Sequence, residues 1–335
     1  MTNLHLSILD QSPVISGHTP AQAVAETVKL AQAADALGYH RYWLAEHHAL
    51  AALADPCPEI LLTRVASATA RIRVGTGGVL LPYYSALKVA EVFRMLEALF
   101  PGRIDLGLGR APGGDRLTAQ ALSNGQYSAA DHFPEQVQDL VGFLDDALPG
   151  DHAFTRVKAM PAGPAAAPIW LLGSSDYSGA LAAELGLRFA FAHFINPQGG
   201  DLVTRDYRAR FRASPRETAP HAIVCTFVIC AETAAEAGRL AASVDLRRLH
   251  MAQGLNTPIP TLAEAEAQQY TERELAYIRS QRARAVIGDP RQVRERLLQL
   301  REQFEADELM ILTITGDYAS RLRSYELLAQ EFGLQ

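Results

Sequence analysis

Short runs of β-branched, aromatic and aliphatic residues alternate along this chain with longer amphipathic stretches, and this alternation constrains the fold more than any other feature. The runs occur at residues 4–10, 41–46, 72–81, 103–109, 168–173, 188–194, 221–230 and 308–316. A strand followed by a helix, repeated in this way, predicts a parallel sheet with helical crossovers. Eight repeats favour a closed (β/α)8 TIM barrel over an open doubly wound sheet. We therefore expect the α/β class and a single domain over residues 1–335.

Helix signals support this reading at both ends of the chain. Thr19 and Pro20 predict the start of the first helix, and Gly38 predicts its end. Asp289 and Pro290 open a helix in the last unit in the same way. Helical spacing in the third helix predicts an inward face of Val89, Val92, Leu96 and Leu99.

Two segments are too long for the simple repeat, and we expect them as insertions after strands 4 and 7. They are Ala111 to Ala130 and Val244 to Ile287. Both follow strands, so both are expected at the face where barrel loops build active sites. The second segment is long and polar, which is consistent with a mobile lid over residues 244–287 or with a surface excursion of two extra helices.

Composition excludes several classes of function. The net charge of −6 comes without a basic cluster, which argues against a nucleic-acid partner. Cys57, Cys225 and Cys230 are too few and too scattered for a disulfide framework or a metal site. The longest apolar run, residues 222–231, is far shorter than the roughly 20 residues that a membrane span needs. With no export signal evident, we expect a cytoplasmic protein without membrane contact.

An acidic residue and two histidines follow the second predicted strand. In a barrel, polar side chains at that end of a strand are candidates for an active site, and a histidine titrates near neutral pH. Glu46, His47 and His48 fit this description, although one histidine could instead cap the loop while the other lies at the surface. A metal site would need two more ligands at strand ends. His193 is the only clear candidate for them, so we expect no metal.

Glycines mark two further places. Gly75, Gly77 and Gly78 lie within the third predicted strand, where glycine indicates close approach of a flat or bulky group, or a bulge. The stretch GLGRAPGG lacks the third glycine of a dinucleotide fingerprint, because Pro112 occupies that position. Arg110 within it is a candidate phosphate ligand, with a salt-bridged surface arginine as the alternative.

The stretch LLGSSDYSG combines a strand, a turn of small residues and a helix start. Backbone N–H groups at such a helix start, together with the hydroxyls of Ser174, Ser175 and Ser178, predict an anion pocket. Ser175 or Asp176 could simply cap the helix, but a cap needs one polar residue and not three hydroxyls.

Five stretches then occur in a fixed order: YWLAEHHA, VGTGGVLLPYYSALKVAE, GRIDLGLGRAPGG, GSSDYSGALAAELGLRFAFAHF and VIGDPRQVRERLLQL. In this order they resemble the bacterial-luciferase-like flavin-dependent monooxygenases, and the resemblance runs over nearly the whole chain. It implies a TIM barrel that binds reduced FMN (FMNH2) and forms a homodimer.

The resemblance implies a role for each matching position. His47 matches the catalytic histidine beside the flavin, and Gly77–Gly78 matches a non-proline cis peptide beneath the isoalloxazine ring. Arg110 matches an arginine that contacts the FMN phosphate. The turn that holds this phosphate is expected at Leu172, Gly173, Ser174, Ser175 and Ser178. The substrate pocket is expected to include Glu46, His193 and Phe194.

The resemblance also implies a reaction. It implies a monooxygenase that takes an aldehyde or other small organic substrate and O2 through a C4a-hydroperoxyflavin. A separate flavin reductase is expected to supply FMNH2, because the chain lacks a nicotinamide fingerprint. Gly109 stands where luciferase has a reactive cysteine, so light emission is not predicted. Two alternatives share the fold, an F420-dependent dehydrogenase and a non-catalytic flavin-binding protein; a metal hydrolase comes last.

Overall fold

Parallel strands close into a barrel in the computed structural model, which describes residues 4–110, 112–123, 129–163 and 166–334. The strands are β1 His5–Asp10, β2 Arg41–Leu44, β3 Arg73–Thr76, β4 Val79–Leu80, β5 Ile104–Gly109, β6 Ile169–Gly173, β7 Arg188–Ala192, β8 Ala222–Cys230, β9 Val286–Gly288 and β10 Glu308–Leu312. Their order around the barrel is β10-β1-β2-β3-β5-β6-β7-β8, and β8 pairs with β10 to close the ring. The predicted TIM barrel is therefore confirmed.

Helices surround the barrel and connect its strands. They are α1 Pro20–Ala36, α2 Pro58–Ala68, α3 Ala86–Leu99, α4 Arg116–Leu122, α5 Phe133–Asp145, α6 Asp176–Leu185, α7 Gly200–Arg210, α8 Ala234–Leu240, α9 Ala242–Ala252, α10 Leu262–Ala267, α11 Glu272–Arg282, α12 Pro290–Gln303 and α13 Tyr318–Phe332. Short 3-10 turns occupy Leu81–Tyr83 and Ala129–His132. In the described ranges, no helix combines the length and the apolar character needed to cross a bilayer.

Two short strands depart from the predicted set of eight. The third predicted strand is divided into β3 and β4 by Gly77–Gly78, whose peptide bond is cis. The small strand β9 pairs with the last residues of β8, beyond the part of β8 that belongs to the barrel. The barrel strands themselves all lie within the predicted runs, because each run is long enough and apolar enough to be recognised locally.

The predicted helix ends are confirmed where capping residues mark them. The Thr19 hydroxyl accepts a hydrogen bond from the backbone N–H of Gln22, and Gly38 follows α1 with a φ of +83°. Asp289 caps α12 through the N–H of Gln292. One predicted inward face is partly wrong: Leu99 is 55% exposed, because the buried side of α3 is centred on positions 89, 90, 93 and 96.

Large apolar side chains fill the barrel at mid-height. Trp43 and Trp170 meet edge to face with ring centroids 5.3 Å apart, and both are fully buried. Below them, Arg41 forms buried ion pairs of 2.9 Å with Asp105 and with Glu308. This network of paired charges fills the barrel at the amino-terminal ends of the strands. A site can therefore form on the other side of the tryptophans, at the carboxyl ends of the strands.

The chain between β8 and β10 folds over the carboxyl end of the barrel. Its residues 244–287 contain most of α9, together with α10 and α11, so helices occupy this predicted insertion. The Asn256 amide donates to the carbonyl of Ala49 and accepts from the N–H of Ala51, both at 2.8 Å. The mobility of this segment stays a prediction. Of the other predicted insertion, residues 112–123 hold α4, and residues 111 and 124–128 lie outside the described ranges.

Candidate active site

A cavity of about 260 Å³ opens at the carboxyl end of the barrel, directly above the tryptophan layer. The predicted site residues in its lining are Glu46, His47, Gly77, Gly78, Arg110, Leu172, Gly173, Ser174, Ser175, Ser178 and Phe194. They come from the ends of five different strands, β2, β3, β5, β6 and β7, which is how a barrel assembles an active site. A wider groove of about 1000 Å³ lies outside the barrel between α2 and α3, away from these strand ends.

His47 lines this cavity. Its Nδ1 is buried and has no hydrogen-bond partner among the described residues. Burial lowers the pKa of the His47 imidazole to about 4, so the ring is neutral at pH 7. Two backbone bonds of 3.0 Å hold the loop, from His47 N–H to the carbonyl of Asp55 and from His48 N–H to the carbonyl of Gly113.

Glu46 lines the same cavity, but its carboxylate is engaged by the protein. It accepts hydrogen bonds from the Tyr84 hydroxyl at 2.8 Å and from the Leu80 backbone N–H at 2.8 Å, and it lies 2.7 Å from Nε2 of His48. These contacts satisfy both carboxylate oxygens, so Glu46 fixes the position of the loop and of the His48 ring. Its predicted place at the cavity is observed, while its geometry indicates a positioning role for the carboxylate.

Glycines form one wall of the cavity because their neighbours leave no room for a side chain. A Cβ on Gly77 would lie 2.7 Å from Cδ1 of Leu9, and a Cβ on Gly78 would lie 2.6 Å from the carbonyl oxygen of Gly107. A Cβ on Gly75 would lie 2.8 Å from Nε1 of Trp43. The bulky group that β3 accommodates at Gly75 is therefore the Trp43 indole.

The serine turn lies at the start of α6. Ser175 occupies the N-cap position of this 10-residue helix but makes no side-chain cap hydrogen bond, so capping does not explain its hydroxyl. Ser178 is buried, and a Cβ on Gly173 would lie 2.4 Å from the Ser178 oxygen. Hydroxyls and backbone N–H groups at a helix start form an anion-binding site.

Arg110 extends this anion-binding end of the cavity. Its guanidinium carbon lies 4.1 Å from the centre of the Tyr177 ring, in the first turn of α6. Over the described ranges Arg110 forms no ion pair, so the salt-bridged alternative finds no support there. Stacking on Tyr177 places a fixed positive charge beside the serine turn.

His193 and Phe194, which follow the sixth barrel strand β7, differ in their position relative to the cavity. Phe194 lines the cavity, whereas His193 does not. The His193 ring lies 5.6 Å from the Phe304 ring, and its Nδ1 lies 3.2 Å from the Thr226 hydroxyl. Both residues lie in the turn that follows β7, and of the two Phe194 is the one turned to the cavity. Burial lowers the pKa of His193 to about 4.

Several lining residues were not predicted from the sequence. Leu9, Cys225 and Met310 each face the barrel interior near the end of β1, β8 or β10. The alternation of side chains along these strands is the signal that identifies them, once the inward face is known. Gln11 and Ile195 also line the cavity, from loops where no such alternation applies.

These residues fit a planar cofactor with a phosphate tail. The serine turn and Arg110 form a cationic, donor-rich end, Gly77 and Gly78 line the cavity without side chains, and His47 Nδ1 is a buried polar atom without a partner among the described residues. They do not resemble a metal site: within the described part of the chain, no group of three or more His, Cys, Asp or Glu side chains could hold a metal ion.

Known proteins resemble this chain over nearly its whole length. The family model described as luciferase-like monooxygenase matches residues 3–307. The uncharacterized protein YceB of Bacillus subtilis (strain 168) is 46% identical, over 98% of this chain and 99% of that protein. The N-acetyl-S-alkylcysteine monooxygenase of the same organism is 36% identical, over 97% of this chain and 97% of that protein.

Solved structures share the fold over nearly the full length. The crystal structure of apo-MsnO8 is 40% identical, covers 99% of both chains and superposes with a TM-score of 0.92. Two distant structures share the fold alone. The first is the oxygenating constituent of 3,6-diketocamphane monooxygenase from Pseudomonas putida in complex with FMN. It is 18% identical, covers 98% of this chain and 97% of that chain, and has a TM-score of 0.71. An F420-dependent secondary alcohol dehydrogenase is 11% identical, with coverage of 99% of both chains and a TM-score of 0.69.

Proposed function

The chain belongs to the luciferase-like monooxygenase family and is a flavin-dependent monooxygenase, and from this premise we propose that its cofactor is reduced FMN. In this proposal the substrate is an aldehyde or another small organic molecule, such as the thioether that the name of one relative specifies. The observation that carries the proposal is that one cavity is lined by His47, whose Nδ1 has no partner among the described residues, by Gly77 and Gly78, and by the donors of the serine turn.

The phosphate of FMN is assigned to the serine turn. The free hydroxyl of Ser175, the N–H groups at the start of α6 and the Arg110 guanidinium supply donors and positive charge at one end of the cavity. Charge-assisted hydrogen bonds of this type are the strong ones, and the helix dipole adds to them. The ring system then lies towards Gly77 and Gly78, where no side chain obstructs a flat group.

Reduced FMN, when bound, supplies the two electrons with which O2 is activated. His47 would hold a proton of the reactants at Nδ1, where the neutral imidazole can accept a hydrogen bond from a proton-bearing group. Leu9, Phe194 and Met310 make the remaining lining apolar, which keeps water away from the reacting atoms.

Three further features belong to the same proposal. A separate reductase supplies the reduced cofactor, since the chain carries no nicotinamide fingerprint in its glycine-rich loop at residues 107–114. The protein acts in the cytoplasm, and its working form is a homodimer. Size-exclusion chromatography with light scattering tests the dimer directly.

The cofactor assignment is tested by titrating the apoprotein with FMN, with anaerobic FMNH2 and with reduced F420. We expect FMNH2 to bind and to react with O2 at a rate that differs from free FMNH2 in solution. Binding of F420 in place of FMNH2 would transfer the assignment to a dehydrogenase, which the fold shared with an F420-dependent enzyme makes a specific alternative. Tight binding of oxidised FMN without any reaction with O2 would indicate a non-catalytic flavin-binding protein.

The role of His47 is tested with His47→Ala and His47→Gln. Both variants should bind FMN with little change while turnover falls by about 100-fold or more, the usual contribution of a general acid or base. His132→Gln is the matched control, because His132 is exposed and lies away from the cavity. Unaltered turnover in His47→Ala would end the catalytic assignment.

A further inference from the structure

One polar side chain in the cavity lining has no role in the proposed cofactor site. Gln11 directly follows β1 and lines the cavity. Its side-chain amide forms no hydrogen bond with the residues that the structure describes. A primary amide carries two donor hydrogens and an acceptor oxygen, and all of these are left for a molecule that enters the cavity.

Buried contacts fix the backbone on both sides of Gln11. Asp10 and Ser12 are fully buried, and the Asp10 carboxylate accepts the backbone N–H of Ser12 at 2.7 Å. The same carboxylate is paired with Arg321 at 2.7 Å. The carbonyl of Asp10 accepts a hydrogen bond of 3.0 Å from the backbone N–H of Ala45, in the loop after β2. Gln11 therefore starts from a rigid position, although its own side chain is unbound.

The backbone turn after Gln11 is strained. Ser12 has a φ of +50°, in the left-handed region that residues other than glycine rarely adopt. Its hydroxyl accepts a hydrogen bond of 3.0 Å from the Thr27 hydroxyl, which helps to hold the turn. Strained backbone of this kind persists where the surrounding contacts over-determine it, and it is concentrated at ligand sites. Here the turn lies directly beside the one residue of the segment 10–12 that lines the cavity.

Gln11 lies across the barrel mouth from the proposed phosphate site. In the ring of strands, β1 is opposite β6, and the serine turn follows β6. The neighbours of β1 are β10 and β2. Asp10 pairs with Leu44 of β2, which places Gln11 next to the start of the loop that carries His47. A phosphate held at the serine turn therefore leaves the Gln11 amide on the His47 side of the cavity.

The ionisable side chains of the lining leave no charge for a substrate. Both carboxylate oxygens of Glu46 are engaged by the protein, and Arg110 is assigned to the phosphate. Burial lowers the pKa of His47 to about 4 and raises the pKa of the Cys225 thiol, so both side chains are neutral at pH 7. Among the described lining residues, an ionic substrate would find no counter-charge, and burial of an unpaired ion is costly.

Apolar side chains surround the Gln11 amide. Leu9, Ala45 and Met310, which belong to β1, to the loop after β2 and to β10, pack in one cluster and line the cavity. A pocket that is mostly apolar binds the apolar body of a molecule, and its few polar groups fix the orientation. On this side of the cavity, the Gln11 amide is such a group.

We propose that Gln11 orients the substrate: its amide donates a hydrogen bond to a carbonyl oxygen of an uncharged molecule, whose apolar part lies against Leu9 and Met310. The assignment rests on the proposed function, which makes this cavity the place of reaction. Gln11 is then a specificity-determining residue. Uncharged molecules with a carbonyl or amide group are accepted, and carboxylates of the same size are rejected.

The test measures the binding of three probes of nearly equal shape by NMR titration. They are hexan-2-one, 2-methylhex-1-ene, in which a methylene group replaces the carbonyl oxygen, and pentanoate, which carries a charge. The ratio of ketone affinity to alkene affinity should fall about fivefold in Gln11→Leu, as expected for the loss of one hydrogen bond. Gln11→Glu should lower it too, because a carboxylate has no donor. Gln330→Leu, at an exposed position on α13, is the matched control and should leave the ratio unchanged.

The wild type should bind pentanoate at least about tenfold more weakly than hexan-2-one, because the charge finds no partner. Equal binding of these two probes, an affinity ratio that survives in Gln11→Leu, or no binding of any probe at millimolar concentration would overturn the proposal. A loss of FMN affinity in Gln11→Leu with the ratio intact would assign the amide to the cofactor and overturn it too.

FMN titration of the same proteins separates this proposal from the proposed function. Absence of FMN binding, together with a ketone preference that depends on Gln11, refutes the proposed function alone. Binding of FMN without such a preference refutes the role of Gln11 alone.

Thermal unfolding of Gln11→Leu provides a second readout that does not depend on any ligand. The Gln11 amide bonds to no described residue, so Tm should stay within about 1 to 2 °C of the wild-type value. A fall in Tm of several degrees would show that the side chain holds the fold together, and it would overturn the assignment.

Discussion

The carboxylate of Glu46 accepts a hydrogen bond from the backbone N–H of Leu80 at 2.8 Å, and this bond joins the loop that carries His47 to the segment after Gly77–Gly78. The same carboxylate accepts from the Tyr84 hydroxyl, 38 positions along the chain. The Glu46 side chain thus fixes the His47 loop relative to the segment after Gly78. The catalytic assignment of His47 depends on this relative position.

Replacement of Glu46 by Ala removes the acceptor for these donors and leaves the Leu80 N–H buried without a partner. We expect a loss of about 2 to 3 kcal/mol in the free energy of unfolding, measured by urea denaturation. Glu302→Ala is the control, since Glu302 is exposed on α12. Equal stability of the two variants would show that the Glu46 hydrogen bonds add nothing to the fold.

The low pKa of His47 makes stability depend on pH. The folded pKa of about 4 lies below the value of about 6.5 in the unfolded chain, so between these values the unfolded state binds more protons. Stability is therefore full above pH 6.5 and declines as the pH falls towards 4. His47→Gln should remove up to about 3 kcal/mol of this decline, measured as the difference in unfolding free energy between pH 7 and pH 4. His132→Gln should leave the decline as in the wild type.

Gly75→Ala should destabilise the barrel beneath the cavity. The added Cβ would lie 2.7 Å from the Asp105 backbone oxygen and 2.8 Å from Nε1 of Trp43, and neither can move freely. Overpacking of this kind costs about 1 to 3 kcal/mol. Gly150→Ala, whose added Cβ meets nothing within 4 Å, should be nearly neutral. Thermal melts of the pair decide the point, and equal Tm values would contradict the tight packing against Trp43.

Ser175 and Thr233 occupy the same position at the start of two helices but differ in what their hydroxyls do. Thr233 caps α8 through the N–H of Glu236, whereas Ser175 makes no cap hydrogen bond. Thr233→Ala should lose about 1 kcal/mol of stability and bind FMN normally. Ser175→Ala should keep its stability and bind FMN about tenfold more weakly. The opposite pattern in fluorescence titrations and melts would remove Ser175 from the phosphate site.

The barrel and its helix ends could be predicted because their signals are local. Thr19 and Asp289 mark helix starts through capping contacts with residues three positions later, and the strands are recognised by their own composition. The sequence predicts both His193 and Phe194 at the pocket, whereas Phe194 alone of the two lines the cavity. Both lie in the turn after β7, and their directions depend on contacts with β8, such as the bond from the Phe194 N–H to the Cys225 carbonyl.

Long-range contacts set the rest of the site. Nothing near Glu46 in the sequence indicates that Leu80 and Tyr84 will occupy its carboxylate. Such features follow from how distant segments dock, and the sequence of either segment alone carries no trace of them.

Asn256 gives the cap of helices over the barrel a fixed point of attachment. Its amide pairs with the main chain at Ala49 and Ala51, just beyond His47, in the manner of a neighbouring strand. A molecule entering from above by displacing that cap would have to break both bonds, and the break would loosen the loop that carries His47. Entry of a molecule from this side and the position of the His47 loop therefore both depend on Asn256. This residue lies more than 200 positions along the chain from the loop that it holds.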